Sequence, residues 1–156
     1  MANAVVHFEI PADDVARATS FYEKTFGWKI KKFQMPPGSQ EYYSVVTRKE
    51  GAPGIDGGLM KRNMPGQPFT NYISVPSIDD MHQVVLANGG TIVMPKQEIG
   101  PNMGWFSVFQ DTENNMLGLH QSPPPPPKKR ATKKKAAKKA GSGRKAKKAT
   151  KSARRR

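Results

Sequence analysis

Residues 5–28 read VVHFEIPADDVARATSFYEKTFGW, the pattern of a strand running into a helix. Val6, Phe8 and Ile10 alternate with His7 and Glu9, so one face is apolar and the other carries an imidazole and a carboxylate. Pro11 is expected to stop the strand and Asp13 to cap the helix. Val15, Ala18, Tyr22 and Phe26, with Phe21 beside them, form the helix's apolar stripe, and Gly27 ends it. Packing that stripe against the strand's apolar face leaves His7 and Glu9 pointing away from the core.

Downstream, strands are expected at 28–33, 42–48 and 55–61, the first an exposed or edge strand because it carries Lys29, Lys31 and Lys32. Gly57 and Gly58 mark the third as bulged or closely approached by another group. After a Pro- and Gly-containing linker at 63–68 the pattern begins again. Tyr72-Ile73-Ser74-Val75-Pro76 followed by Ser77-Ile78-Asp79-Asp80 echoes Phe8-Glu9-Ile10-Pro11 followed by Ala12-Asp13-Asp14. Ser77 and Asp80 have capping-box spacing, Ile78, Met81, Val84 and Val85 form the stripe, and Asn88-Gly89-Gly90 closes the helix. Strands at 91–93, 105–109 and 116–120 complete a second strand, helix, three-strand unit. Residues 95–104 are expected to separate the first two of these strands. A duplicated unit of this kind supports the assignment more strongly than any single element.

Sixteen of the twenty-six Lys and Arg residues lie in residues 128–156, which hold no acid. The remaining ten face all twelve Asp and Glu, so the front part is slightly acidic and the basicity belongs to the tail. The chain has no cysteine, which excludes disulfides and thiolate chemistry. No apolar run is long enough to span a bilayer, and a signal peptide is not expected. The expected organisation is a folded domain at 1–122, a stiff polyproline spacer at 123–127 and a disordered basic tail at 128–156. Nonspecific binding of DNA or RNA by counterion release is expected from Lys128, Lys129, Arg130, Lys133, Lys134, Lys135, Lys138, Lys139, Arg144, Lys145, Lys147, Lys148, Lys151, Arg154, Arg155 and Arg156. The location expected is cytoplasmic or nucleoid-associated, or nuclear in a eukaryote.

The segments FEIPADD, FYEKTFGW, ISVPSIDD, ANGGTIV and FQDTENNMLGL resemble the vicinal oxygen chelate (VOC) superfamily. This is the glyoxalase, bleomycin resistance protein and ring-cleaving dioxygenase group, and the resemblance spans residues 5–121. The tail's composition is similar to the C-terminal tails of linker histones and bacterial histone-like proteins. The resemblance implies an α+β fold of paired βαβββ modules whose sheet curls around a cavity, commonly completed by a homodimer. Metal-using members hold a divalent ion with four cavity-facing side chains, typically His or Gln and Glu. Carried over residue by residue, His7 matches the first ligand, the second falls on a glycine within Asp56-Gly57-Gly58, the third near Thr70, and the fourth on Gly118. His7 is therefore the only match, and no cofactor is expected. A divalent ion would need Glu9, Asp56 and His120 as substitute ligands.

What this leaves is a cavity lined by His7, Glu9, Tyr72, Trp105 and His120, with Phe106 a further candidate for an aromatic pocket beside Tyr72 and Trp105, and with Met60, Met64, Met103 and Met116 near its mouth. His82 is expected on the solvated side of the second helix. A binder of an unidentified small molecule, tethered to nucleic acid, fits best. Two alternatives stay open. One is a VOC enzyme of the lyase or dioxygenase type, using non-standard metal ligands or His7 and Glu9 as an acid/base pair. The other is an architectural nucleic-acid protein with a vestigial cavity.

Overall fold

The computed structural model describes residues 3–125; the last two prolines of the spacer and the sixteen basic positions of the tail lie outside the described residues. Ten elements follow in chain order: β1 (Val5–Ala12), α1 (Val15–Phe26), β2 (Lys29–Phe33), β3 (Tyr42–Val46), β4 (Gly57–Lys61), β5 (Thr70–Ser74), α2 (Ile78–Ala87), β6 (Thr91–Gly100), β7 (Gly104–Gln110) and β8 (Met116–Gln121). The fold is α+β. The eight strands make one curled, open sheet ordered β2-β3-β4-β1-β5-β8-β7-β6. Each βαβββ module thus has the same internal order, with a parallel pair at its inner end (β1 with β4, β5 with β8), and the modules join along antiparallel β1 and β5.

Both helices pack on one face of this sheet, because alternate strand residues there are apolar. Around α1 the core is Phe8, Ile10, Ala12, Ile30, Val45 and Leu59, covered by Val15, Ala18 and Tyr22; around α2 it is Val75, Ile78 and Leu119. Burying a side chain as fully as Leu59 stabilises by roughly 1.5–3 kcal/mol. The α1 stripe is narrower than its spacing predicts. Trp28 stacks on Tyr22 at 5.2 Å and fills the space beneath the helix end, leaving Phe21 and Phe26 56% and 57% exposed. In α2, Val84 is likewise exposed.

Several local expectations need correction. Asp14, not Asp13, caps α1, accepting from the Arg17 N–H at 2.9 Å, while Asp13 pairs with Arg62. Pro11 does not end β1: it pairs in register with Met60, and β5 has already stopped at the level of Glu9, so its missing N–H disrupts no ladder there. Residues 95–100 belong to β6, which passes through Pro95 because it is an edge strand whose register breaks between Met94 and Gln97. Ser77 and Gly27 cap as expected, Gly27 in the left-handed region at φ 68°. His82 is not merely solvated: its Nε2 lies 2.7 Å from Ser107 Oγ, which is fully buried and donates to the Met94 carbonyl. With the Ser107 proton committed to that carbonyl, His82 donates, and the chain of bonds ties α2 to β6 and β7.

Among the described residues no helix is long and apolar enough to cross a membrane. Ser107→Ala removes the link between His82 and Met94 and leaves two polar groups short of a partner. We expect a loss of about 1–3 kcal/mol in urea-denaturation stability without a change of fold.

Candidate functional site

The face turned away from the helices carries His7 and Glu9 from β1, Tyr42 from β3, Tyr72 from β5, and Gly118 and His120 from β8. Strand alternation puts each opposite in direction to the buried Phe8, Val45 and Leu119 and the partly buried Ile73. Register sets the spacing: His7 stands across from Tyr72, Glu9 from Thr70 on one side and Gly58 on the other, and Tyr72 beside Gly118.

Two glycines let the rings in. A Cβ on Gly58 would fall inside the volume of the Tyr42 hydroxyl and ring end, and one on Gly118 would fall inside the Tyr72 ring. Gly118, and Gly58 within the Asp56-Gly57-Gly58 segment, which the resemblance matches to two family ligand positions, are thus covered by tyrosine rings from neighbouring strands. Near Thr70, which it matches to a third, Tyr72 is the residue across from His7. Among the described residues no three His, Asp or Glu side chains converge as a metal site would require.

The rings bring hydroxyls to the two polar groups of β1. Tyr72 Oη donates to Glu9 Oε2 at 2.6 Å, and His7 Nε2 lies 2.7 Å from Tyr42 Oη. The Tyr42 hydroxyl also reaches toward Glu9. The His7 and Tyr42 rings lie end to end and nearly coplanar, centroids 6.4 Å apart across that hydrogen bond, and His7 meets the edge of Tyr72 at 5.9 Å. Burial pushes the Glu9 carboxyl above its ordinary value, opposed by the hydrogen bonds from Tyr72 and Tyr42. Burial also pushes His7 down, helped by His120 and opposed by Asp56. Both tyrosines are driven well up, chiefly by burial and then by the Glu9 charge, so they stay neutral donors.

Of the sequence-derived site residues, His7, Glu9, Tyr72 and His120 share this face. Trp105 does not: it packs against the α2 core with Lys96 over its ring, and its neighbour Phe106, paired with His120, takes the cavity side. Asp56 braces the β3–β4 turn, accepting from the Thr47 N–H at 3.0 Å and pairing with Arg48. Tyr42 is the residue sequence reasoning missed. Its signal was the period-two spacing of Tyr42 and Ser44 along a strand whose partner contains bare glycines. A surface cleft lined by Val15, Thr19, Ser20, Glu23 and Tyr43 runs along α1, on the helix side of the sheet.

Because the folded state resists charging Glu9, it binds more protons there than the unfolded chain once pH rises past the ordinary 4.5. Stability is consequently lost as pH climbs from 4.5 through the raised folded value. Glu9→Gln should therefore melt higher than the parent at pH 7, the gap narrowing toward pH 4.5 in a thermal-denaturation series. A gap that is absent or of opposite sign would contradict the desolvated carboxylate.

Comparison with known proteins adds the family. The model described as bleomycin resistance protein-like N-terminal matches residues 4–38. A glyoxylase-like domain-containing protein of Didymella fabae is 36% identical over 112 residues, 69% of this chain and 84% of the relative. Among solved structures, methylmalonyl-CoA epimerase from Mycobacterium tuberculosis superposes with a TM-score of 0.58 at 14% identity, over 77% of this chain and 88% of that one. A glyoxalase/bleomycin resistance protein/dioxygenase superfamily member from Vibrio splendidus 12B01 gives 0.53 at 18% identity, over 78% and 99%. At such identities the structures speak to the fold alone. Taken with the doubled module, the Didymella relative makes this chain a member of the vicinal oxygen chelate superfamily, in the glyoxalase and bleomycin resistance protein group.

Proposed function

We propose that the domain at 1–122 binds a small organic molecule on the face around His7, Glu9, Tyr42 and Tyr72 without a divalent ion. We further propose that the basic run at 128–156, set off by the 123–127 prolines, holds it nonspecifically on nucleic acid. The observation that carries the first part is the filling of Gly58 and Gly118 by tyrosine rings. Where metal-using relatives need carboxylate or imidazole donors, this chain offers tyrosine hydroxyls. His7, His120 and Glu9 share the face, but among the described residues they do not converge into the three-ligand set a catalytic ion requires. His7, Glu9, Tyr72 and His120 then act as ligand-binding groups. A homodimer, and a cytoplasmic, nucleoid-associated or nuclear location, belong to the same reading.

A second reading has a specific observation in its favour. Burial raises Glu9 toward neutral pH and favours the uncharged, proton-accepting form of His7, so the two groups are pushed into the complementary acid and base roles a metal-free pair uses.

One set of measurements separates these readings. Purified full-length protein should carry no stoichiometric divalent metal by elemental analysis, and a metabolite panel should yield a ligand that raises Tm and is recovered unchanged. Metal present in the parent and lost in His7→Ala would overturn the metal-free site. Chemical conversion of the ligand, abolished by Glu9→Gln, would favour the acid/base enzyme. The absence of any thermal shift across the panel would favour a purely architectural protein.

The tail predicts its own outcome. Truncation after Gln121 should abolish retention on DNA, and full-length retention should weaken with salt by about 0.9 log units per neutralised phosphate for each decade of concentration. Undiminished binding by the truncated chain would remove the tether.

A further inference from the structure

We infer that the ligand of this face is an organic cation of the ammonium or amidinium class, seated on Glu9 among the rings of His7, Tyr42 and Tyr72. The inference rests on the small-molecule reading above and names its chemistry. Glu9 is a half-buried carboxylate whose hydrogen-bond partner is a phenol, not a cation. The four ion pairs among the described residues, Lys32–Glu41, Arg48–Asp56, Arg62–Asp13 and Lys96–Asp79, all use other acids.

The groups around Glu9 do not supply the missing charge. The His7 ring is hydrogen-bonded to Tyr42 rather than to Glu9, and the group bonded to Glu9 is the Tyr72 phenol. An ionised carboxylate in a desolvated position with only neutral donors is costly, and a bound cation is the partner that removes most of that cost. A carboxylate accepts about four hydrogen bonds, so Tyr72 and Tyr42 leave acceptor capacity free.

The rings select the kind of cation. Tyr42 and His7 are nearly coplanar, 19° apart, with Tyr72 at 61° to His7, so three aromatic rings share the face with the carboxylate and one of them is bonded to it. Aromatic faces beside a carboxylate favour a weakly hydrated organic cation over a compact metal ion, which demands several oxygen or nitrogen ligands. An anionic ligand would meet the Glu9 charge, and a neutral one would leave that charge uncompensated when it expelled water.

The test is calorimetric titration of the full chain at pH 7 with three probes of one shape: benzamidine as the cation, benzamide as the neutral isostere and benzoate as the anion. Benzamidine should bind at least about tenfold more tightly than benzamide, the scale of one desolvated charge-assisted contact. Glu9→Gln should erase that preference, while Asp80→Asn, which removes an exposed acid from α2 on the opposite face of the sheet, should retain it. Benzamide or benzoate binding the parent as tightly as benzamidine would overturn the inference, as would undiminished benzamidine binding by Glu9→Gln. If none of the three probes binds but the metabolite panel yields a ligand, the cation class falls and the small-molecule reading stands. If neither probes nor panel bind, both fall.

Discussion

A strand can carry an aromatic ring over its neighbour only where the neighbour has no side chain. On the face that holds His7 and Glu9, β4 and β8 meet that condition at Gly58 and Gly118, and the space is taken by Tyr42 and Tyr72. Everything chemical about the site follows from this close approach. The rings exclude water from β1, which displaces the titrations of Glu9 and His7, and they carry the hydroxyls that partly offset the loss of hydration. Any side chain at either glycine would evict a ring and return both groups toward solvent.

The electrostatic balance of the molecule is correspondingly uneven. Four of its acids pair with cations, Asp13 with Arg62 and Asp79 with Lys96 among them, in positions where solvent makes such pairs worth little. Glu9, in the position where pairing matters most, has neutral partners. For stability alone a Gln there, or a cation opposite, would serve better, and a carboxylate left without a charged partner in a desolvated position is the kind of group that functional sites concentrate.

The architecture was legible because it is written twice. The echo of FEIPADD in ISVPSIDD, together with two capped amphipathic helices, specifies paired modules, and the sheet order repeats module for module. Half of the site was legible too, since alternation alone sends His7 and Glu9 to the face opposite Phe8 and Ile10. What escaped depends on register and reach. Choosing Trp105 over Phe106 is a parity error, and only the pairing of Phe106 with His120 resolves it. Tyr42 lies thirty-five residues from His7 in sequence, so nothing local announces the contact. Pro95 read as a separator because the sequence does not say that β6 is an edge strand, where a missing donor costs little.

The symmetry of the fold does not extend to its chemistry. Gly58 and Gly118 sit in equivalent strands of the two modules, yet they are covered differently. Tyr72 lies in register beside Gly118, whereas Tyr42 reaches Gly58 on a diagonal, since Ser44 is its direct partner. The hydroxyls cross accordingly. Tyr72 faces His7 but donates to Glu9, and His7 bonds instead to Tyr42. Both β1 groups are thereby held by rings from different modules, one from β3 and one from β5, so the junction between modules and the geometry of the site stand or fall together. A doubled scaffold has in this way produced a polar cluster with a distinct acidic side and a distinct imidazole side, able to orient an asymmetric molecule that a two-fold symmetric site could not.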